Sequence, residues 1–163
     1  MVPSEEDIWK YKDFGHRSLV MEFTGTWCGY CPMMDEAMTI ADQLNPDKFE
    51  VACLHSGDIY QADFADVFTD RFGITSYPNG IQDSRVNIPN YSSTSYTATL
   101  FGEVLKEQED YLPPVTGISF TSSLRGSTVT ADVKIYAKEA DDYKVTVLLL
   151  EDGIMGYQNG ADG

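Results

Sequence analysis

Positive charge is scarce in this 163-residue chain. Eleven lysines and arginines stand against 26 aspartates and glutamates, for a formal net charge of −15. Such a surface repels phosphate backbones and anionic lipid, so nucleic acid and membrane surfaces are disfavoured as partners. Histidines number two, His16 and His55, and cysteines three, Cys28, Cys31 and Cys53. Three cysteines are too few for a disulfide scaffold. One CxxC pair beside two histidines without paired spacing is a poor match to a four-ligand zinc site, so no metal is expected. Asp63, Asp66 and Asp70 lack the spacing and glycine of a calcium loop and read as a solvated helix face. No GxGxxG, P-loop or HExxH motif is present, so no cofactor is expected. No apolar run approaches the roughly 18 residues of a membrane span. Met1 is followed at once by polar "VPSEED", which reads as a cut or processed start rather than a signal peptide.

What is present supports a folded core. Apolar residues make up 42% of the chain, and its length suits one domain, or one domain and a fragment. The chemistry concentrates in "TGTWCGYCPMM", Thr24 to Met34. Before it, "SLVMEF" from Ser18 to Phe23 is short and apolar, as a buried strand is. After it, Met34, Ala37, Met38, Ala41 and Leu44 recur at helical spacing. The cysteines therefore sit where a strand turns into a helix, with Pro32 in the first turn, where a missing N–H does least harm. The helix dipole and first-turn N–H groups would stabilise a thiolate there. Cys28 falls on the exposed side of the turn and Cys31 one turn inward, an arrangement that makes Cys28 a nucleophile with a pKa below the usual thiol value of about 8.5. A static surface disulfide is the alternative, although a short loop at a helix start is a poor staple.

These residues resemble the thioredoxin superfamily: "VMEFTGTWCGYC" is similar to its strand, Trp-Cys-x-x-Cys and helix. The resemblance extends over about residues 5 to 112. It implies that Glu22, six residues before Cys28, is a buried acid behind the pair that manages the proton of Cys31. "KFEVACLH", Lys48 to His55, resembles the next parallel strand, and "DIYQADFADVFTDRFGI", Asp58 to Ile74, the following helix, with Phe64, Val67, Phe68 and Phe72 on one face. "FGITSYP" is similar to the segment ending in a cis-proline, here Pro78, that faces the CxxC and shapes a substrate groove. "YTATLFGEVLKEQEDYL", Tyr96 to Leu112, resembles the closing helix. More narrowly, "EFTGTWCGYCP", "LHSGD" and "RFGITSYPNG" before a β-rich tail look like the thioredoxin-like outer-membrane lipoproteins of Bacteroidetes. That resemblance implies work outside the cytoplasm, in the periplasm or at the outer membrane. A lipoprotein signal normally precedes such a domain in that family; no cysteine precedes Cys28 here, so any lipid anchor has been lost upstream or never existed.

Three features depart from the thioredoxin pattern. Cys53 stands where many thioredoxins place a lysine near the buried acid, and is expected to be a buried thiol packed as a small hydrophobe. "NGIQDSRVNIPNYSS" after Pro78 is polar and turn-rich, which predicts an altered or abbreviated sheet edge. Acids rather than bases surround the pair: Glu5, Glu6, Asp7, Asp13, Asp35 and Glu36 would oppose a thiolate. Trp27, Tyr30 and Tyr77 form an apolar rim for an extended peptide, or else pack within the fold. His55 either lines the pocket near the CxxC or is a surface or core residue.

"LPPV", Leu112 to Val115, ends the helical region, because two prolines cannot continue a helix. Beyond it the hydrophobic period becomes two. "GISFTSS", "STVTADVKIYAKE" and "YKVTVLLLED" read as three antiparallel strands, with Val129, Ala131, Val133 and Ile135 on one face. The expected fold class is α/β: a thioredoxin-like fold with a central mixed sheet over residues 1–112, then a short antiparallel β module, an incomplete β-sandwich, over residues 113–163. The expected function is thiol–disulfide exchange with protein thiols or disulfides through Cys28 and Cys31, with an unidentified redox partner. The alternative is a non-catalytic surface or binding protein that keeps the fold and a structural disulfide.

Overall fold

The structure is a computed structural model that describes residues 14–160. Strand β1 (Ser18–Thr24) leads into helix α1 (Cys31–Leu44), then β2 (Phe49–His55), α2 (Ala65–Phe72), β3 (Asn79–Gln82), β4 (Val86–Pro89) and α3 (Thr94–Tyr111). The four strands form one mixed sheet in the order β2-β1-β3-β4. β1 runs parallel to β2 and antiparallel to β3, and β3 and β4 are antiparallel. This is a thioredoxin-like α/β arrangement, with the CxxC between the central strand and its helix.

β1 is central because it is apolar on both faces. Val20 joins Met34, Ala37, Met38 and Phe101 in one cluster, while Met21 and Phe23 join Leu54, Ile74 and Ile81 in another. α1 buries Met34, Ala37, Met38 and Ala41 as its spacing predicts. Leu44, expected on the same stripe, is 67% exposed, because it is the last helical residue and Asn45 caps the end through Ala41. Met34, Phe23 and Phe101 are fully buried, so each contributes about 2–3 kcal/mol of apolar burial.

α2 is shorter than its expected span of Asp58 to Ile74. The Asp58 carboxylate accepts from the Tyr60 backbone N–H at 2.8 Å, a local turn that competes with helix formation. The helix begins only at Ala65 and ends at Gly73, whose φ of +62° is the left-handed stop that glycine adopts freely. Phe68 and Phe72 pack on the sheet, whereas Phe64 and Val67 are exposed rather than sharing that face. The hairpin after Pro78 is present and short, four residues in each strand.

Residues Glu109–Val147 form a separate unit from Arg17–Gln108, with which the segment from Leu148 onward groups. The smaller unit contains a two-stranded antiparallel sheet, β5 (Thr116–Arg125) and β6 (Thr128–Ala137). The third strand expected in residues 143–152 is not formed. Alternation at Tyr143, Val145, Val147 and Leu149 supplies a face but no main-chain partner, and a strand is held only by its ladder. The β module is thus a hairpin rather than a half-sandwich. Among the described residues, no helix is long and apolar enough to cross a membrane.

Candidate active site

The CxxC loop is braced from below. The Thr26 N–H donates to Asp58 Oδ2 at 2.7 Å, and the same carboxylate receives the Tyr60 N–H and pairs with His55 Nδ1 at 2.8 Å. Burial pushes the Asp58 carboxyl up, but these hydrogen bonds outweigh it and hold the group below the usual range. His55 is therefore spent on Asp58, with Tyr60 packed on its ring, rather than aimed at the CxxC. The Trp27 indole donates to the Ser56 carbonyl at 2.7 Å. A Cβ at Gly25 would lie 2.6 Å from that indole nitrogen, so only glycine lets the ring fold over the loop.

Cys28 and Cys31 are joined as a disulfide with their Cα atoms 5.5 Å apart. Cys31 is the first residue of α1, with Pro32 next. Two first-turn donors are already engaged: the Cys31 N–H reaches the Cys28 carbonyl at 3.2 Å and the Met33 N–H reaches Tyr30 at 3.1 Å. Stabilisation of a Cys28 thiolate then falls to the helix dipole more than to free N–H groups, a change from the sequence expectation. The expectation that Cys28 is exposed also needs correction. It is only 4% exposed, against 0% for Cys31. Its sulfur is bonded inward, and its loop is clamped from the C-terminal segment. Gln158 Nε2 donates to the carbonyls of Gly25 (3.2 Å) and Cys28 (3.0 Å), and Asn159 donates to those of Thr26 (2.9 Å) and Trp27 (3.1 Å).

Glu22 is fully buried on β1. Burial first, and Asp35 second, push its carboxyl well above the usual range, while Cys53 pulls weakly the other way. No hydrogen bond joins it to the disulfide among the described residues; its Oε2 accepts instead from Cys53 Sγ at 3.2 Å. Cys53 was expected to be buried and is exposed, because β2 is the edge strand of the sheet. Its sulfur nonetheless turns inward onto Glu22, and that burial, followed by the Glu22 charge, drives the thiol far above the ordinary range. Of the acids expected around the pair, Glu5, Glu6, Asp7 and Asp13 lie outside the described residues.

A groove of about 460 Å³ runs beside the CxxC, lined by Tyr30, Met33, Tyr77, Pro78, Pro89 and Tyr91 among others. The Tyr77–Pro78 peptide is cis. Tyr30 is exposed, and Trp27 packs edge-on against Tyr77 with ring centroids 5.3 Å apart without lining the groove itself. Thus Tyr30, Tyr77 and Pro78 come together, and Trp27 supports them. Met33, Tyr91, Asp58, Gln158 and Asn159 were not anticipated. The "SGD" turn signal could have marked Asp58; nothing local marks Gln158 and Asn159, some 130 residues from the loop they hold.

No protein-family model matches the chain, and no curated protein matches it by sequence. Solved structures do. HBP35 of Porphyromonas gingivalis is 18% identical with a TM-score of 0.59, over 75% of this chain and 43% of that one. A protein of Agrobacterium tumefaciens is 18% identical with a TM-score of 0.50, over 73% and 56%. The germline-specific thioredoxin Deadhead of Drosophila melanogaster is 19% identical with a TM-score of 0.36, over 62% and 88%. At such identities the likeness to the first two speaks for fold alone. The chain spans about half the length of the first two.

Proposed function

We propose that this chain is a thiol–disulfide oxidoreductase acting on protein thiols or disulfides outside the cytoplasm. The observation that carries the reading is the Cys28–Cys31 disulfide at the first residue of α1, beside an open groove lined by Tyr30, Tyr77 and Pro78. Oxidation of a substrate dithiol begins when its thiolate attacks Cys28 Sγ. The Cys28–Cys31 bond breaks, Cys31 leaves as the thiolate, and a mixed disulfide forms. The second substrate thiol displaces Cys28, so the substrate loses two electrons and the pair gains them. In the reverse direction reduced Cys28 attacks and Cys31 resolves. Glu22 is the acid behind the pair for the proton of Cys31. Tyr30 and Tyr77 hold an extended chain, Trp27 braces them, and Pro78 shapes the groove. A redox partner resets the pair. The narrower resemblance to Bacteroidetes outer-membrane lipoproteins, a family in which a lipoprotein signal precedes such a domain, supports a periplasmic or outer-membrane location.

The second reading is a non-catalytic surface or binding protein. One observation favours it: Cys28 is nearly enclosed and its loop is held by Gln158 and Asn159. Turnover in insulin reduction, with Cys28→Ser as control, separates the two. The redox reading requires turnover that the variant lacks; equal, background-level rates support the binding protein.

A further inference from the structure

Three side chains of metal-ligand type meet beneath α1 without using either cysteine of the CxxC. They are Glu22 on β1, Cys53 on β2 and Asp35 on α1, and one donor atom from each lies within 4.8 Å of the others. The strand register explains part of this, since Glu22 and Cys53 are direct partners across the parallel pair. Asp35 stands one turn past Cys31 on the helix above.

A second observation points to a missing ligand. Glu22 is 0% exposed, and no N–H or S–H donor reaches its Oε1; the polar group set against this carboxyl besides Cys53 is another acid, Asp35. A buried carboxylate oxygen left unsatisfied is costly. The groups that act on this carboxyl are Asp35 and Cys53, and no cation is among them. Two carboxyl groups so close require either a shared proton or a positive ion between them. The thiol indicates which ion would suit. Calcium and magnesium take oxygen ligands, whereas a sulfur with two carboxylates suits zinc. Ligands bound at about 2.0–2.3 Å to one zinc ion sit roughly 3.3–3.8 Å apart in a tetrahedron. Cys53 Sγ already lies 3.2 Å from Glu22 Oε2, and the exposed Asp35 can close the remaining difference by side-chain rotation.

We propose that Glu22, Asp35 and Cys53 form a zinc site with three protein ligands and a fourth position open to water. The CxxC and the two histidines are a poor zinc set by spacing, and this site uses neither. An occupied site would withdraw Glu22 from Cys31 and slow exchange; that consequence rests on the redox reading, whereas zinc binding does not.

The test uses the chain with Cys28–Cys31 kept oxidised, so that Cys53 is the free thiol. Cobalt(II) and then zinc are titrated in. The expected result is one equivalent bound, a cobalt–thiolate charge-transfer absorption, and its loss on adding zinc. Cys53→Ser should remove the absorption, and both Cys53→Ser and Asp35→Asn should weaken zinc binding by more than the about 10-fold cost of losing an outer-shell partner. Asp35 is exposed, so its variant remains informative even if Glu22 variants fail to fold. Asp70→Asn, on α2, should change nothing. Absence of the absorption, or zinc affinity unmoved by both substitutions, would overturn the site and leave a proton alone between the carboxyl groups. A chain that binds zinc but fails to reduce insulin would retain this site and lose only the redox reading.

Discussion

β1 and the β5–β6 hairpin carry similar apolar side chains into different surroundings. In β1, Val20, Met21 and Phe23 are buried against helices on both sides of a four-stranded sheet. In the hairpin, Ile118, Phe120, Leu124 and Val129 stand open. Alternation decides which side chains share a face, but only a packed neighbour turns that face into stability. A two-stranded sheet is marginal by itself in water. The CxxC is built on the element whose apolar residues have found their neighbours, which is where a reacting group can be held in place.

The largest expected effect is a direct contrast between the two regions. Phe23→Ala should destabilise by about 3–5 kcal/mol, whereas Phe120→Ala, at a residue 69% exposed, should stay within about 0.5 kcal/mol. Chemical denaturation checks both. Equal losses would show that the hairpin is covered in solution.

The Asp58 brace comes next. Asp58→Ala leaves the Thr26 and Tyr60 N–H groups without their carboxylate and should cost about 2 kcal/mol. The pH dependence has a definite sign. A carboxyl held below its unfolded pKa, about 3.9 for aspartate, stabilises fully above that value. The contribution is lost as pH falls through the lower, folded value. The gap between wild type and Asp58→Ala should therefore be constant near neutrality and shrink in acid. A gap that widens in acid would contradict the brace.

The smallest effect concerns the clamp. Gln158→Ala combined with Asn159→Ala removes the side-chain hydrogen bonds to the carbonyls of Gly25, Trp27 and Cys28. If these bonds restrain the loop by about 1 kcal/mol, dithiothreitol should reduce the disulfide roughly five-fold faster, with unfolding of the core unchanged. An unaltered reduction rate would mean that the clamp does not control access.

Much of the fold was legible because it is written locally. The strand before the cysteines, the stripe Met34–Ala37–Met38–Ala41 and the proline in the first helical turn each follow from short-range patterning. Local competition hid the start of α2, where the Asp58 side chain captures the backbone that periodicity assigns to a helix. Long-range pairing hid the rest. The strand pattern of residues 143–152 lacks a partner, and the exposure of Cys53 follows from the edge position of β2, which no local pattern reveals. The meeting of Glu22 with Cys53 likewise depends on strand register, and that of Asp35 with both on the packing of α1 over the sheet. Glu22 and the CxxC could be chosen from sequence; what encloses them could not.

Proposed cycling of the Cys28–Cys31 pair makes Cys28 the attacking thiol. Its direct measurement is trapping with Cys31→Ser in an extracytoplasmic extract, read by mass spectrometry, alongside the order of alkylation in the reduced wild-type chain. The account predicts mixed disulfides through Cys28, abolished by a further Cys28→Ser change, and alkylation of Cys28 before Cys31. Trapping through Cys53, or no trapped protein together with Cys31 alkylated first, would contradict it.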